Sequence, residues 1–111
     1  MINYPTTYEK CCAVLEMTVE QIEANISLKY KTDAIITFQR VVICRDAYLK
    51  IAELNNVKFG KDQYIITVQG DSIVKEATSN ASYILSFPTE KIRDTFYSNF
   101  EKDIFKIMSI L

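Results

Sequence analysis

The stretch Ala34-Ile35-Ile36-Thr37-Phe38-Gln39-Arg40-Val41-Val42-Ile43-Cys44 is apolar on nearly every side when wound into a helix. A helix of that kind offers no broad face to water and has to sit in the middle of a fold, touched by neighbours all round. Its β-branched residues also suit a strand, but the run is long, and Ile43, Ala47, Ile51 and Leu54 continue it at helical spacing. The pattern predicts a central helix over 32–54, stopped by Asn55-Asn56. The rest of the chain must supply its cover.

The C-terminal segment is the clearest supplier. Pro88-Thr89-Glu90 reads as a helix start. Ile92, Phe96, Phe100, Ile104, Met108 and Leu111 then fall four, four, four, four and three apart, one apolar stripe on an amphipathic helix over 89–110. Arg93, Asp94, Asn99, Glu101, Lys102 and Asp103 fill its other sides. The stripe is expected to pack on the central helix and a sheet, while Ile107 and Ile110 broaden it and leave a homodimer contact open.

Between the two long helices the period changes. Residues 63–69 are rich in strand formers, Gly70-Asp71 supplies a turn, and residues 72–77 return as the partner strand. A third strand is expected over 82–87, completing a small antiparallel meander. At the front, Thr6 and Glu9 have capping-box spacing for a helix over 7–16, and Thr18 and Gln21 for a second over 18–27. The expected class is α+β in a single domain over 1–111. It comprises short N-terminal helices, a long central helix, an antiparallel sheet of two to three strands and a long C-terminal amphipathic helix.

The 111 residues contain no histidine and no tryptophan, and the only glycines are Gly60 and Gly70. Without His there is no imidazole base, no Ser-His or Cys-His pair and no His-ligated metal. Two glycines so far apart make no phosphate-cradling loop. No cofactor and no metal site is expected. Cys11, Cys12 and Cys44 are an odd set with an adjacent pair, a poor disulfide framework; they read as buried small apolar residues in a reducing cell interior. The opening Met-Ile-Asn-Tyr-Pro resembles no signal peptide, and no apolar run reaches the roughly 20 residues a membrane helix needs. A cytoplasmic protein of a bacterial or phage-infected cell, not secreted and with no membrane partner, is the expectation.

Charge nearly balances, at 13 Lys and Arg against 14 Asp and Glu, so no general field draws in nucleic acid. Residues 12–25 look faintly like a helix-turn-helix. Their second helix presents Glu20, Gln21, Glu23 and Asn25, a negative face that phosphate repels, and Glu16 stands where the turn glycine belongs. Lys29, Lys31, Lys58 and Lys61 flank the central helix with Tyr30 and Phe59 among them, a pattern that can stack and neutralise a single strand, or simply form a solvated rim. Asp33, Asp46 and Glu53 on the central helix are too widely spaced to share a proton. Arg40, Arg45 and Asp46 lie in or beside the apolar run, where an internal ion pair with Asp46, Asp94 or Asp103 competes with an interaction site. The uncharged run over 64–68 reads as a central or covered strand, or else an edge a partner uses.

Tyr8-Glu9-Lys10-Cys11-Cys12-Ala13-Val14-Leu15, the helix around Phe38 to Ala47, and Ser82-Tyr83-Ile84-Leu85-Ser86-Phe87 followed by Thr89-Glu90, Phe96 and Phe100 carry a resemblance. In these stretches the chain resembles small uncharacterised proteins of Bacteroides-type gut bacteria and their phages. Those relatives often have tryptophan between the central helix and the sheet, where this chain has none. The resemblance implies a mobile-element origin and assigns no activity to any residue. The sequence thus favours a non-catalytic interaction or accessory protein whose partner is another protein, with nucleic-acid binding through the basic middle as the alternative and a histidine-free enzyme behind both.

Overall fold

The computed structural model describes residues 2–18, 33–80 and 82–111. In chain order it has α1 (Tyr8–Val14), α2 (Asp33–Leu54), β1 (Gln63–Gln69), β2 (Ser72–Thr78), β3 (Leu85–Phe87) and α3 (Glu90–Lys106). The class is α+β. Residues 19–27 of the second expected helix lie outside the described residues.

The central helix of the sequence is α2. It packs against α1, α3 and β3, burying Thr37, Val41, Cys44, Ala47, Tyr48 and Ala52. The flanking Phe38, Val42, Ile43 and Leu49 are half-buried, so cover extends well beyond one stripe. α2 ends in a Schellman arrangement: Asn56 takes a left-handed φ of 60°, and the Val57 and Asn56 amides donate back to Ala52 and Glu53.

α1 ends the same way. Glu16 has φ 59°, and the Met17 and Glu16 amides donate to the carbonyls of Cys12 and Ala13. The turn position that lacks glycine is thus left-handed all the same. At the other end the cap is Thr7 rather than Thr6: its hydroxyl accepts from the Lys10 amide, which shifts the start by one and leaves Glu9 out of a capping box.

The sheet corrects the expected meander. β1 and β2 form a hairpin in register Gln69↔Ser72, with Gly70 at φ 59° opening its two-residue turn. β3 does not add to β2; it pairs with the other side of β1, Ile66↔Leu85 and Tyr64↔Phe87, giving the order β2-β1-β3. β3 is three residues rather than six, and Tyr83 and Ile84 precede it as exposed irregular chain. The uncharged run over 64–68 is therefore the central strand.

Register places Tyr64, Ile66, Leu85 and Phe87 on one face, and α3 packs there through Ile92, Phe96, Phe100 and Ile104. α2 lies across α3, and α1 across α2. Phe96 stands 4.9 Å from Phe87 and 5.0 Å from Tyr48 by ring centres, so one aromatic ring joins sheet and helices. α3 ends at Lys106, short of 110, and kinks at Phe100 (φ −123°, ψ 20°).

Candidate functional site

Arg45 projects from the middle of α2 toward the chain that enters β3. Its Nε and Nη2 donate to Asp46 Oδ1 at 3.1 and 2.6 Å, and its Nη1 donates to the Ile84 carbonyl at 2.8 Å. Of the carboxylates expected as partners, Asp46 is the one Arg45 takes. Both side chains remain partly exposed, 23% and 45%, so the pair is worth at most about 1 kcal/mol. The bond to Ile84 matters more for shape, because it ties irregular chain to a rigid helix.

The result is a shallow groove lined by Arg45, Leu49, Phe59, Gln63, Tyr83, Ile84 and Ser86. Within it the Ser86 hydroxyl donates to the Gln63 side-chain oxygen. Its rim is apolar and open: Phe59 is 46% exposed, Ile84 37% and Tyr83 36%. The sequence pattern places Tyr83 and Ile84 inside a strand, and nothing in that pattern marks them as exposed. Phe59 carried a signal, a large apolar residue within the polar run Lys58 to Asp62.

Lys58 and Lys61 are exposed on the segment between α2 and β1, flanking Phe59 in sequence. Lys29 and Lys31 lie outside the described residues, so the basic rim is placed in its second half alone. Arg40 is exposed and set 5.0 Å over the Tyr8 ring, which joins α2 to α1 away from Arg45. The structure therefore brings Arg45 and Asp46 together and leaves Arg40 apart from them.

A charge that sequence reasoning assigned to the outer side of the C-terminal helix is buried. Arg93 is 6% exposed. Its guanidinium meets Asp94 at 3.0 Å, Glu90 at 3.6 Å and the Glu76 carbonyl at 3.1 Å, and lies 5.8 Å over the Tyr64 ring. Two hydrogen bonds and two neighbouring carboxylates offset the cost of burying this guanidinium. Arg93 joins α3 to β1 and β2.

All three cysteines are buried and reduced. Burial pushes the Cys12 thiol up, against a hydrogen bond from Tyr8 that lowers it. A hydrogen bond shared with the Cys11 thiol, and then burial, push the Cys44 thiol up. Cys12 and Cys44 are thus held as thiols at neutral pH, poorly suited to nucleophilic catalysis. Among the described residues no group of three His, Cys, Asp or Glu is placed to hold a metal, and no helix is long and apolar enough to cross a membrane. No protein-family model, curated protein or solved structure matches the chain.

Proposed function

We propose that this chain is a non-catalytic interaction or accessory protein that docks another protein through the groove between α2 and the entry to β3. The observation that carries this reading is the open apolar rim of Phe59, Tyr83 and Ile84 around Arg45 and Gln63. Aromatic side chains held on a rigid base at low entropy cost are the usual anchors of protein recognition. The partner we infer presents apolar side chains to that rim and polar groups to Arg45 and Gln63. The cytoplasm of a bacterial or phage-infected cell, and an origin in a mobile element, belong to the same proposal.

The test is capture from a bacterial host lysate with tagged protein, with and without nuclease, comparing the parent with a Phe59→Ser/Tyr83→Ser variant of unchanged circular dichroism. A nuclease-resistant partner that the variant loses supports the proposal. Equal capture by both sinks it.

Nucleic-acid binding stands second, supported by Lys58 and Lys61 on either side of an exposed aromatic. Retention on a single-stranded DNA column that fades steeply with salt would favour it, and flow-through at low salt would remove it.

A further inference from the structure

The turn of the hairpin fixes which way its backbone groups point. A two-residue loop makes Gln69 and Ser72 a closing pair that exchanges both backbone hydrogen bonds, and the alternation continues through Thr67↔Val74, Ile65↔Glu76 and Gln63↔Thr78. Ile73, Lys75 and Ala77 therefore aim their N–H and C=O groups away from β1. β3 lies on the other side of β1, and among the described residues no hydrogen bond reaches these outward groups. The edge is also held from beneath. Buried Arg93 donates to the Glu76 carbonyl at 3.1 Å, and Lys75 Nζ sits 4.9 Å over the Tyr97 ring. An edge already fixed in this way loses little freedom when a further strand adds to it.

The side chains on the edge choose what can add. Lys75 shares the α3 face of the sheet with Ile66; it is exposed and comes only within 3.9 Å of Asp94, itself 44% exposed. Glu76 lies on the opposite face, exposed, and its carboxylate forms no ion pair among the described residues. An open pair such as Lys75 and Asp94 is worth little, so both charges are available to a neighbouring strand. A second copy of the chain cannot use them. Registers that match outward groups to outward groups set Lys75 against Lys75, Ile73 or Ala77. The one-residue slip that sets Lys75 against Glu76 opposes outward groups with groups that point back to β1.

We propose that the open edge of β2 is a strand-addition site for an extended segment of another protein, running antiparallel with a cation opposite Glu76 and a carboxylate opposite Lys75. The segment is about five residues long, the span from Ile73 to Ala77. From its N-terminus it carries the cation first and the acid next, flanked by strand formers that cover Ala77 and Ile73. Ile73, Lys75 and Ala77 each exchange a pair of backbone hydrogen bonds with it, and each charge on the edge meets its opposite. The same two charges that refuse a second copy thus select the partner. This edge lies across the sheet from the groove at Phe59 and is independent of it.

The experiment selects a displayed library of short extended segments with random centres on the full chain. Enriched segments should carry Lys or Arg immediately before Glu or Asp. One such segment, synthesised and added to nitrogen-15-labelled protein, should slow amide hydrogen exchange at Ile73, Lys75 and Ala77 at least about tenfold, with Val74 and Glu76, already bonded to β1, little changed. Lys75→Pro removes one outward N–H without touching the ladder to β1 and should weaken binding about tenfold. Lys75→Glu with Glu76→Lys should reverse the charge order of the segments selected. Phe59→Ser/Tyr83→Ser should bind the segment as the parent does. No enrichment, the same charge order on the swapped chain, unchanged exchange at Ile73, Lys75 and Ala77, or lost binding in the Phe59→Ser/Tyr83→Ser chain would each overturn the proposal. If Lys75→Pro does not fold, the exchange pattern and the charge-swapped chain decide.

Discussion

Tyr48, itself with no solvent exposure, donates its hydroxyl hydrogen to the Pro5 carbonyl and accepts one from the half-buried Asn99 side chain, both at 2.8 Å. One oxygen thereby satisfies the N-terminal segment, α2 and α3. Tyr48→Phe would leave the Pro5 carbonyl and the Asn99 amide unpartnered and should cost about 1–3 kcal/mol in urea titration. The same site shapes alkaline stability. Burial pushes the Tyr48 phenol up to about 12, partly offset by the Asn99 hydrogen bond, whereas the unfolded chain ionises near its ordinary value of 10. The folded pKa is the higher, so this contribution is intact below pH 10 and is lost as pH rises from there to about 12. The loss should reach roughly 2 kcal/mol and shrink in the Tyr48→Phe chain, read as denaturation midpoints across that range. At the end of α1, Glu16 sits at φ 59°, where a side chain is strained and glycine is not. Glu16→Gly should therefore stabilise by up to about 1 kcal/mol, an unusual sign for a change to glycine.

α3 shows which elements a sequence announces. Its stripe predicts a buried face, and Ile92, Phe96, Phe100 and Ile104 are buried. Phe96→Ala should cost about 3–5 kcal/mol by denaturant titration, since its ring meets Phe87, Tyr48 and Phe100. Phe105→Ala, on the same helix but 54% exposed, should change stability by less than about 0.5 kcal/mol. A loss below 1 kcal/mol for Phe96 would mean that the stripe is a partner surface. The kink at Phe100 and the burial of Arg93 were not legible, because both depend on what the helix meets. The spacing looks helical with or without the kink, and Arg93 reads as polar until Glu76 and Tyr64 are placed beside it. The hairpin was plain from Gly70-Asp71 and its flanking strand formers. The place of β3 was not, since local period says which segments are strands and long-range packing says which strands pair. The groove at Phe59, Tyr83 and Ile84 stayed hidden for the same reason: exposure of an apolar residue is a property of its neighbours.

At the scale of the molecule, the order β2-β1-β3 leaves β2 as a seven-residue edge. Lys75 and Glu76 sit at its centre and are exposed. Symmetric pairing with a second copy about either position sets like charge against like charge, an effective block on edge-to-edge growth. Lys75→Val with Glu76→Val would remove that block and leave an uncharged edge from Ser72 to Thr78. The doubly substituted chain should shift toward larger assemblies than its parent in light scattering at matched concentration; an unchanged distribution would mean that some other feature guards the edge. The strand order also carries a timetable. During synthesis the hairpin emerges from the ribosome before β3 and α3 do. Until they arrive, the far side of β1 has no mate, and Tyr64, Ile66 and the ring of Arg93 contacts have nothing above them. The nascent chain is most open to misassembly in the interval between release of its hairpin and emergence of α3.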